Sequence, residues 1–161
     1  MSKLYYRNRA IFYFLLITNL ILFIIFYSLS STIHIDMNSI NDNVRVNLLT
    51  LNTFFAGFLY NLLGNLIEFT TRLELKTLRV NGYLDKYFNA IYISIFSHVI
   101  SIMLGFSPVF LDLFKDSILL YLSELWFMLN GVALLLYSLI KFKTLVNTIK
   151  DKGNDDEDNE E

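Results

Sequence analysis

Two residues combine ionisable chemistry with an apolar setting: His98, inside residues 88–111, and Glu124, inside residues 117–140. Each is the sole ionisable side chain of its window. A carboxylate beside an imidazole either forms an ion pair or shares one proton. The two are therefore a candidate polar pair, proton-sensitive or attractive to cations. Tyr121 and Asn130, near Glu124 on its own segment, are competing local partners. Asn19, Asn61 and Asn130 add one amide each near the middle of three long apolar segments, and His98 sits near the middle of the fourth. Polar groups at such positions either bond across helices, at about 0.6 kcal/mol each, or face an interior or water-filled path for ions.

Three stripes of small and polar residues accompany them. Thr50, Thr53, Gly57, Asn61, Gly64 and Glu68 recur at three- and four-residue spacings, which places them on one helix face. Ser94, Ser97, Ser101 and Gly105 make a second face, with His98 beside it. Ser117, Glu124, Gly131 and Ser138 follow a seven-residue repeat, the period of a left-handed helix–helix seam. Gly57, Gly64, Ser94, Ser97, Ser101 and Gly131 are thus expected at helix-packing faces, since small residues let backbones approach closely in lipid. Whether those faces meet within one chain or between chains stays open at this level.

The elements that must position these residues follow from hydropathy. Crossing a bilayer core takes about 20 mostly apolar residues as helix. Four stretches qualify, at about 10–29, 47–69, 88–111 and 117–140, with Glu68 closing the second. Charge at a helix centre costs about 2.5–3.5 kcal/mol on insertion scales, so windows this long with a single internal carboxylate predict membrane spans. The expected fold is an all-α integral membrane protein, a four-helix bundle over 1–149 with an acidic, disordered tail over 150–161. The first apolar run exceeds the 7–15 residues usual for a signal-peptide core, and reads as an uncleaved anchor. Asn81-Gly82 is expected to break a short helical extension in the loop before the third span, and Gly105 and Pro108 to mark that span's end.

Basic residues sort by segment. Lys3, Arg7 and Arg9, then Arg72, Lys76, Arg79 and Lys86, then Lys141, Lys143, Lys150 and Lys152 occupy alternate connections, against Arg45 and Lys115 in the others. The positive-inside rule therefore predicts both termini in the cytoplasm of a cell-membrane protein. Six acids among residues 155–161 read as a solvated tail or a handle for a basic protein.

With 55% hydrophobic and 17% charged residues the chain lies far from disordered compositions. No cysteine is present, so disulfides, thiolate metal sites and cysteine nucleophiles are excluded. A net charge of −2 gives no reason to expect nucleic acid. Neither a zincin motif nor a phosphate loop occurs, and His34 and His98 lack metal-site spacing. No cofactor, metal or catalytic residue is expected. The expected function is a non-enzymatic multi-pass protein that self-associates in the bilayer. It would form or gate a pore, or perturb the membrane, as effector of a bacterial or phage-encoded toxin or defence system. A cytosolic partner would control it through loop 70–87 or tail 153–161. Alternatives are a membrane immunity, exclusion or accessory factor, and a small proton-coupled exporter using Glu124.

Overall fold

The computed structural model describes residues 2–32, 42–71, 84–110 and 117–157. The described chain is built of helices: α1 (Ser2–Thr32), α2 (Asp42–Thr70), α3 (Asp85–Phe110) and α4 (Ile118–Glu157). Each contains a stretch long and apolar enough to cross a membrane, at Asn8–Ser28, Asn43–Thr70, Asp85–Phe110 and Ile118–Thr144. Several earlier expectations lie outside the described residues: the basic residues 72–79 of the loop before the third span, the Asn81-Gly82 break, Lys115 and the last acids of the tail.

Local chemistry sets the helix ends. Ser117 caps α4, its Oγ accepting from the Leu120 amide at 3.3 Å. The Leu84 carbonyl takes the amides of Tyr87 and Phe88 before α3, whose first turn carries Asp85 where an acid suits the helix dipole. At the end of α2 the hydroxyls of Thr70 and Thr71 donate to the carbonyls of Ile67 and Glu68, two of the acceptors left over by a terminating helix.

The far end of α4 differs from the sequence reading. α4 does not stop near 149 but runs helical through Glu157, into the segment expected to be disordered. Gly153 lowers helix stability there without breaking the helix. α3 ends at Phe110, beside the expected end of the third span at 111, and passes through Gly105 and Pro108. A proline at this position lacks the amide that would bond to the Leu104 carbonyl and its ring crowds that carbonyl, a disturbance confined to the last turns of the helix.

The central pair is α3 on α4, and α2 packs chiefly on α3 while also reaching α4. α1 is the edge helix, touching α3 and α4. Toward the end of α2 and the start of α3 the core is aliphatic: Leu59, Leu63, Leu66, Leu84, Ile91 and Leu135. A second small cluster joins Ile11 of α1 to Ala90 and Leu134. Toward the other end, where α2 and α4 begin and α3 finishes, the buried side chains are polar.

Candidate functional site

That polar region is built from one face each of α2, α3 and α4. On α3 the seven-residue spacing of Ser94 and Ser101 matches the spacing of Glu124 and Gly131 on the antiparallel α4. Ser94 Oγ donates to the Gly131 carbonyl at 2.7 Å, and Ser101 Oγ to the Glu124 carbonyl at 2.8 Å. A helical carbonyl has a second lone pair, so these bonds add to the helix ladder without breaking it.

The two deep ionisable residues fill the gaps left by glycines. A Cβ placed on Gly131 would lie 2.6 Å from His98 Nε2, and one on Gly105 would lie 2.5 Å from Glu124 Oε1. Each helix thus inserts its ionisable side chain over the other's glycine. Both residues are fully buried, as are Ser94 and Ser101, with Ser97 on the same face.

α2 closes the layer through Asn52, fully buried. Its Nδ2 donates to Ser101 Oγ at 2.9 Å, and its Oδ1 lies 2.8 Å from His98 Nδ1. An amide oxygen only accepts, so the proton of that bond sits on Nδ1. The ring of His98 also stacks on Phe55 of α2, centroids 5.5 Å apart. The chain of contacts therefore runs from His98 through Asn52 and Ser101 to the backbone of Glu124. Among the described residues, His98 Nε2 and both carboxylate oxygens of Glu124 have no hydrogen-bond partner.

One turn beyond lies Arg45, 1% exposed, with its guanidinium carbon 5.8 Å from the Tyr121 ring centroid. Its charge acts on both Glu124 and Tyr121. The sequence reading assigned Arg45 to the connection before the second span. Instead α2 begins at Asp42, and the arginine is tucked inside its first turns.

The expected Glu124–His98 pair does not form. The antiparallel packing sets each opposite a glycine, one heptad apart along the seam, and Asn52 takes the imidazole. Asn19 and Asn130 do meet, as a reciprocal amide pair tying α1 to α4. Asn19 Nδ2 donates to Asn130 Oδ1 at 3.1 Å, and Asn130 Nδ2 to Asn19 Oδ1 at 3.3 Å.

Asn61, Gly57 and Gly64 are not brought to this layer. They lie exposed on α2, and a Cβ on either glycine would meet nothing within 4 Å. The face that α2 turns inward carries Arg45, Asn52, Leu59, Leu63 and Leu66. Asn52 and Arg45 are the site residues the sequence reading missed. Their seven-residue spacing, continued by Leu59 and Leu66, is the signal that would have found them.

Among the described residues no cluster of three or more metal-ligating side chains occurs. No protein family, curated protein or solved structure matches the chain.

Proposed function

We propose that the four helices span the cell membrane with both termini cytoplasmic, and that the protein is a non-enzymatic, self-associating component that forms or gates an ion path. The buried polar layer is the observation that carries this reading. At one end of the bundle the buried side chains are polar, while large apolar side chains stand exposed around the outside. Glu124, His98 and Asn52 are fully buried, while Phe54, Phe96, Met103 and Leu119 are 64–76% exposed. Soluble proteins rarely show such an outer surface. In lipid, buried ionisable residues mark ion or proton paths.

The gate in this reading is the α3–α4 seam. The nearest atoms at Gly105 and Gly131 belong to Glu124 and His98, and two serine hydroxyls bond across the same seam. Parting the helices would expose the carboxylate oxygens and the imidazole Nε2 together, and water would supply the partners they lack. With no enzymatic motif, the arrangement suits an effector of a toxin or defence system switched on by a cytosolic partner, which would reach the cytoplasmic extension of α4 or loop 70–87.

The test is ion flux. Protein reconstituted in liposomes is expected to dissipate a potassium-diffusion potential, and induced expression in cells to depolarise the membrane. Glu124→Leu is expected to alter the flux at unchanged protein level. Vesicles that stay tight at every protein-to-lipid ratio, with full membrane potential in cells both with and without the neighbouring gene products, would overturn the reading.

A further inference from the structure

The exposed face of α2 has an order that neither the fold nor the polar layer uses. Thr50, Gly57 and Gly64 repeat at seven residues, and so do Phe54, Asn61 and Glu68, offset by four. Together they form the alternating three–four spacing of a coiled-coil seam. All six are exposed. The buried heptad of Arg45, Asn52, Leu59 and Leu66 lies on the opposite side of the helix, so the seam is centred on the outward face.

We infer that this face binds the same face of a second copy, α2 parallel to α2, with Asn61 paired to Asn61 across a two-fold axis along the membrane normal. The inference rests on the membrane reading above and names the surface through which copies meet.

Hydrocarbon offers no hydrogen bond to an amide, so an Asn at this depth requires a polar neighbour. Nearer the middle of the spans, Asn19 pairs with Asn130, and Asn52 with Ser101 and His98. Asn61 faces away from all of them, as does Asn65 one turn further toward the end of α2. A primary amide has both donors and an acceptor, so it is its own complement. Two copies inserted in the same sense relate by rotation about the normal, which brings each seam residue to its counterpart. Under that operation Asn61 meets Asn61, small Thr50, Gly57 and Gly64 meet their equals, allowing close approach, and Glu68 meets Glu68 at the end of the span, where water and counter-ions screen the two carboxylates. Phe54, 66% exposed, would fill the space beside the copy's Gly57. A single Asn in such a seam fixes register and oligomeric state.

The chain has no cysteine, so single-cysteine scanning of the full protein in native membranes tests the inference directly. Gly57→Cys, Asn61→Cys and Gly64→Cys are expected to cross-link into dimers under mild oxidant. Leu20→Cys on α1 and Met103→Cys on α3, both strongly exposed, are expected not to. In the Gly57→Cys background, Asn61→Leu should weaken dimerisation by about three- to sixteenfold, the range of one intramembrane hydrogen bond. Gly64→Ile should abolish cross-linking, while its monomer folds normally because the position faces open space.

Equal cross-linking at all three helices, a monomer throughout, or cross-links from α2 only to a different protein would each overturn the proposal. Carbonate extraction of the same membranes separates the two failures. A protein washed off defeats the membrane reading, whereas one that stays inserted but does not cross-link through α2 defeats only this inference.

Discussion

On α3 and α4, Gly105 and Gly131 are occupied by Glu124 and His98, and serine hydroxyls on either side bond across the helices. On α2, Gly57 and Gly64 have nothing beside them, and Asn61 between them looks outward. The residue types and the seven-residue period are the same in both places. The difference lies in what stands opposite. The α3 and α4 stripes are complementary to each other, glycine facing a long side chain in both directions. The α2 stripe has no such counterpart within the chain among the described residues. A stripe of the first kind closes within a chain, and the second is the one proposed above to meet a copy.

Substitution at the glycines is the strongest way to break the comparison. Gly131→Ala drives a methyl into the His98 ring, which Asn52 and Phe55 hold in place. Overpacking of this kind costs about 1–3 kcal/mol. Gly131→Leu should exceed that and abolish a folded bundle. At Gly105 the obstructing atoms are the tip of a flexible Glu124 side chain, so Gly105→Ala should cost less than Gly131→Ala. Gly57→Ala and Gly64→Ala should leave monomer stability within about 0.5 kcal/mol, as expected of open positions. Thermal unfolding in detergent, at protein concentration low enough to keep the protein monomeric, measures all five. Equal losses at the two pairs of glycines would erase the distinction.

A smaller effect sharpens the polar side of the same contrast. Asn52→Leu removes two cross-helix bonds and strands His98 Nδ1 and Ser101, for a cost of about 1–3 kcal/mol. Adding His98→Phe removes one stranded group, so the double variant should lose less than the sum of the singles. Asn61→Leu, the corresponding change on the outer face, should cost the isolated chain nothing. Strict additivity of Asn52→Leu and His98→Phe would mean that the layer is a set of separate contacts rather than a connected network.

Much of this was legible in the sequence, and the part that was not has a definite cause. The four helices follow from hydropathy alone, because apolar runs near Leu20, Phe55, Ile95 and Leu135 admit no other long element. The seven-residue repeat of Glu124 and Gly131 and the serine face of α3 predicted a close seam, and both face inward. Periodicity places residues on faces but does not say which face meets which helix. Both stripes therefore read alike, and Asn61 was grouped with Asn19, His98 and Asn130. The α2 residues that enter the core, Arg45 and Asn52, were hidden by the conspicuous stripe opposite. Arg45 was further disguised by its charge, which reads as loop until Tyr121 and Glu124 are seen beside it. His98 and Glu124 were expected to meet because they are the deep ionisable groups, but antiparallel register offset them by a heptad.

The smallest expected effect calibrates the proposed contact between copies. Asn19 and Asn130 form a reciprocal amide pair at the edge helix, the same chemistry that Asn61 would use against its own copy. Single substitution by leucine at either position should cost about 0.6 kcal/mol and no more than about 1.7. Trp126, the one tryptophan, packs on Phe26 of α1 with centroids 5.6 Å apart, so its emission reports whether α1 stays docked. With the bond removed, Ile11 and the Phe14–Tyr137 contact still hold α1. The emission should therefore shift only slightly, and the double-mutant coupling should carry the signal. A coupling near 0.6 kcal/mol would limit Asn61 to setting register, with Thr50, Gly57 and Gly64 supplying adhesion by close packing. A coupling near 1.7 kcal/mol would make the amide a main source of affinity, and Asn61→Leu would then disperse the dimer more than Gly57→Ala does.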